Sequence, residues 1–367
     1  MKLEAVELRR VGLPLVAPFR TSFGTETHKD ALMIRAIGPE GDGWGECVAM
    51  IDPLYSSEYA DAVDHVVRNH LLPRVFALGD VTATSVEQAL EPIKGHRMAK
   101  AAVQTAVLDA DLRSAGVSMA SFLGGTKDAV DSGVSVGIMD SVPKLLDTVA
   151  GYLDAGYMRI KLKIEPGWDV EPVGAVRERW PDILLQVDAN TAYTLADARQ
   201  LAKLDPFDLL LIEQPLPEDD ILGHADLSRL IKTPVCLDES IESARDAAAA
   251  IRLGAAAIIN VKPGRVGGYL EARRIHDVCV ANGIPVWCGG MLETGIGRAA
   301  NVALASLPGF TLPGDTSASD RYFTRDVTAP FELVDGRLRV PTGPGIGVDP
   351  VMEILDELTT AKDVVKP

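Results

Sequence analysis

Five charged residues recur along the chain at an almost fixed interval: Lys163, Asp188, Glu213, Asp238 and Lys262 lie 25, 25, 25 and 24 residues apart. Each sits at or near the end of a short apolar run, namely Met158–Ile164, Ile183–Ala189, Leu209–Gln214, Val235–Glu239 and Ala257–Lys262. One strand plus one helix spans such an interval, so the repeat predicts successive βα units with the charged side chains at one height on neighbouring strands. Gly133–Ile138 before the set, and Pro285–Gly289 and Thr311–Gly314 after it, complete eight strands. Helical periodicity fills gaps at Asp169–Arg179, Leu195–Lys203 and Tyr269–Ala281. Strands and helices alternating in this way predict a (β/α)8-type barrel. An open doubly wound sheet is the rival, but no Gly-x-Gly-x-x-Gly follows the first strand.

The barrel pattern occupies residues 126–320. Residues 1–125 read as a separate α+β unit, with strands at 2–11 and 31–38 and helices at about 56–78 and at Met98–Ala115. Between those strands, Pro18–Gly24 reads as a loop whose Phe19 and Phe23 would form an apolar lid. Residues 321–367 lose the rhythm. They offer candidate strands at Phe331–Val334 and Leu338–Val340 and are expected to return to the N-terminal unit.

A net charge of −16 argues against a nucleic-acid partner, which requires a basic surface. No apolar run approaches the roughly 20 residues of a membrane span, and Glu7, Arg9 and Arg10 do not fit a secretory signal. Cys47, Cys236, Cys279 and Cys288 lack Cys-x-x-Cys spacing and read as buried thiols, so a cytoplasmic location is expected. His65, His70, His96 and His276 show no ligand spacing and read as helix-surface or loop residues.

Apolar barrel strands have no use for charged ends, so the repeat has a chemical reading. Asp188, Glu213 and Asp238, on the third to fifth strands, form an oxygen-only set of the kind that suits Mg²⁺ and not zinc. The rival reading, three separate helix caps, accounts for one acid but not for the common interval. Lys161 and Lys163 are two apart on one strand and share a face. Their mutual repulsion beside a cation is expected to lower the pKa of Lys163 towards that of a general base, with Lys161 as its electrostatic partner. Lys163 on strand two and Lys262 on strand six face each other across a ring of eight. One lysine on each face of a substrate α-carbon is the arrangement of a racemase, with the cation stabilising the enediolate formed when the proton beside a carboxylate leaves.

The Lys-x-Lys at 161–163, Asp188-Ala189-Asn190, Glu213-Gln214-Pro215, Asp238-Glu239-Ser240 and Lys262-Pro263-Gly264 resemble the motif set of the muconate-lactonising subgroup of the enolase superfamily. The chain is most similar to the N-succinylamino acid racemase/o-succinylbenzoate synthase family, essentially from end to end. That resemblance implies a (β/α)7β modified TIM barrel under an α+β capping domain. It implies Asp188, Glu213 and Asp238 as ligands of Mg²⁺ (Mn²⁺ or Co²⁺ substituting) and Lys163 and Lys262 as the acid/base pair. Asn190 and Glu239 become polar groups beside the substrate. Ser135, Gly290, Met291, Phe19, Phe23, Met50 and Tyr55 become the lining of an acyl pocket.

The expected activity is N-acylamino acid racemisation, together with the dehydration that yields o-succinylbenzoate in menaquinone synthesis. The substrate is a small carboxylate, and a homo-oligomer built through outer barrel helices is expected. The alternatives are a dipeptide epimerase or a muconate cycloisomerase on the same frame, or a metal-binding scaffold without chemistry. An epimerase is expected to show Asp-x-Asp near the eighth strand, where Pro313-Gly314-Asp315-Thr316-Ser317 has one aspartate.

Overall fold

The computed structural model describes residues 1–367. Three strands open the chain: β1 (Ala5–Thr21), β2 (Gly24–Gly38) and β3 (Gly41–Cys47). The stretch expected to be a loop, Pro18–Gly24, is instead the tip of the β1–β2 hairpin, with Phe19 opposite Glu26 and Thr21 opposite Gly24. The pairing lapses between Pro14 and Phe19, where Pro14 and Pro18 have no N–H to give the ladder. Helix Arg97–Ala115 packs against this sheet, and 13 of its residues are buried. Close approach is possible because β3 offers glycine: a Cβ on Gly45 would lie 2.1 Å from the Ala102 carbonyl oxygen. The predicted helix at 56–78 forms as one continuous helical run, Ala60–Val66, Val67–Leu71 and Leu72–Phe76, of which the middle stretch is π-helical.

After a short β4 (Ala129–Asp131), seven parallel strands follow. They are β5 (Gly133–Val136), β6 (Arg159–Lys163), β7 (Leu184–Asp188), β8 (Ile212–Glu213), β9 (Val235–Leu237), β10 (Ile258–Val261) and β11 (Val286–Cys288), neighbours in that order. The ring closes through single parallel bridges, Val286 to Phe310 and Ser132 to Gly314. The eighth segment, containing Pro313 and its missing N–H, thus pairs without forming a regular strand. This is the modified (β/α)7β barrel. Of the predicted helices, Val170–Arg179 and Tyr269–Ala281 form as expected, whereas the one at Leu195–Lys203 forms as a run of short 3₁₀ and α pieces that extends to Phe207.

The tail departs from expectation at one point: Phe331–Val334 is not a strand. The strand expected at Leu338–Val340 forms one residue earlier as β12 (Arg337–Arg339), paired with β4. Then β13 (Thr359–Val365), which has no clear apolar alternation, adds to the open edge of β1 and gives the order β13-β1-β2-β3. Apolar packing follows the same division, with a cluster of 67 buried residues centred on the barrel and one of 24 in the cap. The four cysteines are buried free thiols. His276, expected near the surface, is buried and stacks on Phe310 at 5.5 Å. No helix is long and apolar enough to cross a membrane.

Candidate active site

Register sets the charged residues together. Lys163 pairs with Asp188, and Asp188 with Glu213, on β6, β7 and β8. Glu213 pairs with Cys236, so Asp238 lies two residues further along than a constant height predicts. A two-residue step preserves the inward face, and a closed barrel requires stagger between strands. All five residues of the repeat therefore point into one mouth, and Asp188, Glu213 and Asp238 are at most 1% exposed.

Buried charges need partners, and here each acid has an ammonium. Lys163 Nζ lies 2.6 Å from Asp188 Oδ2 and donates to Asn190 Oδ1, also at 2.6 Å. Lys161 Nζ sits between Glu213 Oε2 at 2.9 Å, Asp188 Oδ2 at 3.3 Å and Asp315 Oδ2 at 2.7 Å, above the Trp287 ring. Lys262 Nζ lies 2.7 Å from Asp238 Oδ2, and Arg265 grips the other oxygen of the same carboxylate. The Tyr55 hydroxyl, from the cap, donates to Asp238 Oδ1 at 3.2 Å and accepts from Lys262 Nζ at 3.3 Å.

The lysine repulsion expected from sequence is thus answered by acids. Burial alone would lower the pKa of Lys161, but Asp315, Glu213 and Asp188 outweigh it and hold the ammonium above the ordinary lysine range. Lys262 is likewise held high against burial, by Tyr55, Glu213, Glu239 and Asp188. Burial, then repulsion from Asp188, holds Glu213 above the usual carboxylate range and pushes Glu239 up to about 7. Glu239 Oε2 is also a buried oxygen without a hydrogen-bond partner.

Turns after the strands carry the neutral polar groups. Asn190 and Gln214 adopt left-handed backbone, with φ of 42° and 37°, which bends the chain sharply at the barrel rim. Asn190 Nδ2 then donates to Glu239 Oε1 at 2.9 Å. Gln214 Oε1 accepts from the backbone N–H groups of Asp238 and Ser240, fixing the loop that presents Asp238.

Above these groups lies a concave cavity between barrel and cap, at the end of the barrel where small-molecule sites form. Phe19, Phe23, Met50, Tyr55, Ser135, Asn190, Gly290 and Met291 all line it with Lys161, Lys163 and Lys262. Glu239 does not line it and connects to it through Asn190. The hairpin tip is tied to the mouth: the Ser22 hydroxyl donates to the Ala189 carbonyl at 3.1 Å, and Lys29 Nζ to the Met291 carbonyl at 2.7 Å.

Several participants were not singled out from sequence. Glu26, Thr21, Leu292 and Tyr322 also line the cavity, as does Asp315, the one aspartate noted near the eighth strand. Arg159, fully buried, binds Asp315 Oδ1 at 2.8 Å, and Asn260 Nδ2 donates to Glu213 Oε1 at 2.6 Å. Their signal was the alternation itself, since Arg159-x-Lys161-x-Lys163 and Asn260-x-Lys262 share a face. Arg265, in the turn after β10, had no such signal.

The donor set fits a divalent cation: three buried carboxylates on consecutive strands, oxygen only. With the ammonium of Lys161 among the acids, no three acidic groups converge closely enough to enclose an ion by themselves. A cation would therefore replace ammonium contacts at these oxygens.

Residues 4–124 match the family described as the mandelate racemase/muconate lactonizing enzyme N-terminal domain, and residues 144–354 match the enolase C-terminal domain-like family. An N-succinylamino acid racemase of an Amycolatopsis species is 69% identical over 363 residues, 99% of each chain. An o-succinylbenzoate synthase of Geobacillus kaustophilus is 48% identical over 351 residues, covering 95% of this chain and 94% of its own. The crystal structure of an enolase-superfamily member from Listeria innocua matches with a TM-score of 0.95 at 41% identity, covering 100% of this chain and 99% of its own.

Proposed function

The chain is an enzyme of the mandelate racemase/muconate lactonizing family within the enolase superfamily, and on that premise we propose that it racemises N-acylamino acids, N-succinylamino acids among them, and also forms o-succinylbenzoate by dehydration. The observation that carries the proposal is the placement of Lys163 and Lys262. They stand at the ends of β6 and β10, four places apart in the ring, and both line one cavity; the three acids come from the strands between, and Asp188 and Asp238 hold the two ammonium groups from behind. The names of the similar proteins support the substrate class.

Asp188, Glu213 and Asp238 would hold Mg²⁺, with Mn²⁺ or Co²⁺ substituting. When bound, the ion supplies positive charge that lowers the cost of ionising the carbon beside the substrate carboxylate. Lys163 takes the α-proton on one face: the C–H bond breaks and an N–H bond forms. Lys262, charged by virtue of its acidic neighbours, delivers a proton to the other face, and the configuration is inverted. In dehydration the same abstraction is followed by loss of hydroxide, and Lys262 acts only as a charge. Lys161 keeps its charge as an electrostatic partner. Asn190 fixes the resting position of Lys163 and, with Glu239, presents polar groups beside the substrate. Residues 1–125 act as a specificity lid over the barrel of 126–320, and residues 321–367 return the chain to that lid. Phe19, Phe23, Met50, Tyr55, Ser135, Gly290 and Met291 enclose the acyl group.

Asp315 weighs against a dipeptide epimerase. Its carboxylate is committed to Arg159 and Lys161, at 2.8 and 2.7 Å, and is not free to receive a substrate ammonium. We place the enzyme in the cytoplasm, as a homo-oligomer, with menaquinone synthesis as the setting of its dehydration. The test is a substrate panel with Mg²⁺: N-succinyl and N-acetyl amino acids, the cyclohexadiene precursor of o-succinylbenzoate, dipeptides and muconate. Turnover of the first three classes is expected. Turnover of dipeptides or muconate alone would refute the proposal.

A further inference from the structure

One residue in the wall of the cavity has an unfavourable backbone conformation. Leu292, in the loop between β11 and helix Gly295–Ala305, lines the cavity beside Gly290 and Met291 and has a φ of 56°. A bulky residue seldom adopts this left-handed conformation, which persists only where the surroundings impose it. The imposing contacts come from the cap. Lys29 on β2 donates to the Met291 carbonyl at 2.7 Å, one residue before Leu292. Glu46 on β3 takes hold two residues after it. Its carboxylate accepts from the Thr294 N–H at 3.0 Å, the Thr294 hydroxyl at 2.7 Å and the Gly297 N–H at 3.0 Å.

Both clamps issue from one face of the cap sheet. Glu46 is opposite Met33, and Lys29 precedes Met33 by four residues on the same strand, so the two side chains project together. Glu46 closes the N-terminus of helix Gly295–Ala305, where free N–H groups favour a carboxylate. Thr294, fully buried, is the N-cap of that helix, and its hydroxyl also accepts from the Ile296 N–H. The approach needs glycine at 297, where a Cβ would lie 2.9 Å from Glu46 Oε2. Burial raises the Glu46 carboxyl above its usual range, opposed first by the charge of Lys29. Glu46 and Lys29 are themselves buried and do not line the cavity. They act on its contents only through the loop segment held between them.

We infer that Glu46 and Lys29 are positioning residues that set the affinity for the acyl group, by holding Met291 and Leu292 in the shape that the acyl pocket requires. This rests on the acylamino-acid reading above and extends it: acyl recognition is shared between side chains that touch the substrate and two that do not. A loosened loop occupies the binding-competent shape for only part of the time, and apparent affinity falls in proportion to that fraction. Once substrate is bound the loop is back in place, and Lys163 and Lys262 have not moved. The effect therefore belongs to KM and not to kcat.

The test compares wild type with Glu46→Gln, Thr294→Val and Thr294→Ser in the racemisation of N-acetylalanine and N-succinylalanine at saturating Mg²⁺, with Lys29→Met as the variant at the other end of the segment. KM for both substrates rises about tenfold in Glu46→Gln, Thr294→Val and Lys29→Met, while kcat stays within about twofold of wild type. Thr294→Ser, which keeps the hydroxyl, keeps the wild-type KM. The backbone amides of Leu292–Gly297 exchange faster with deuterated water in the variants whose KM is raised. A folded variant with unchanged KM overturns the inference even if its melting temperature falls, and so does a loss confined to kcat. Failure of all three to fold would assign the contacts to stability alone and overturn it too. A wild type that turns over neither substrate overturns the acylamino-acid reading itself, an outcome distinct from the others.

Discussion

The ammonium of Lys161, on the second barrel strand, lies 2.7 Å from Oδ2 of Asp315, just past the segment that closes the barrel. Arg159 holds the other oxygen of the same carboxylate at 2.8 Å, so two buried cations converge on one acid across the seam of the ring. Removing the acid strands both cations without solvent. Asp315→Asn is therefore expected to destabilise the fold by about 3–5 kcal/mol, read as a lower denaturation midpoint in urea at unchanged slope. A loss below about 1 kcal/mol would mean that the pair contributes little to holding the seam.

Tyr55 links the cap to the chemistry. Its hydroxyl bridges Asp238 and Lys262, and its ring faces the Lys262 ammonium at 4.6 Å. Tyr55→Phe removes the hydroxyl and keeps the ring. Racemase kcat is expected to fall about tenfold, the effect of a displaced catalytic group, with a smaller change in KM. An unchanged kcat would exclude the hydroxyl from positioning Lys262.

Much of this site was legible in the sequence because strand geometry is periodic. One βα unit per charged residue located Lys163, Asp188, Glu213, Asp238 and Lys262 without coordinates. The same periodicity could not reveal that Asp238 steps two residues past its neighbours, because barrel stagger depends on closure of the whole ring. Local pattern also misled at Pro18–Gly24: one proline, two phenylalanines and a glycine read as a loop, whereas pairing with β2 makes it a hairpin tip. The acids that neutralise Lys161 come from other strands and from Asp315, so spacing along one strand does not reveal them. Arg265, held by Asp238 across a turn, and β13, whose partner lies more than 300 residues away, depend on tertiary placement that no local signal carries.

Glu213 is expected to matter for the cation more than for the fold. Its Oε2 meets Lys161 and its Oε1 accepts from Asn260. In Glu213→Gln the side chain keeps its size while the charge is lost. Mg²⁺ affinity, measured by calorimetry, is expected to fall at least about tenfold, as for loss of one charged ligand from an oxygen set. Undiminished Mg²⁺ binding would remove Glu213 from the metal site.

His224 supplies a pH dependence remote from the chemistry. It is fully buried, and its Nε2 accepts the backbone N–H of Leu216 at 3.2 Å. Burial lowers its pKa below the ordinary histidine value, against the opposing pull of Asp220. As the pH falls through the unfolded-state value, about 6.5, the unfolded chain takes up a proton that the folded chain refuses. Stability is therefore full above that pH and is lost progressively as pH falls towards the lowered folded value. Urea midpoints between pH 8 and 5 are expected to decline in the wild type and to decline less in His224→Gln. Equal slopes would show that His224 does not contribute.

The two lysines are separated most directly by α-proton exchange in deuterated water, followed for each enantiomer of an N-acylamino acid. Lys163→Ala and Lys262→Ala should each lose racemisation by about 10²–10⁴-fold or more. Each should still exchange the α-proton of one enantiomer only, and of opposite enantiomers, since each retains the base on one face. Exchange of the same enantiomer by both variants, or racemisation surviving in either, would contradict a reaction carried by Lys163 and Lys262 from opposite sides.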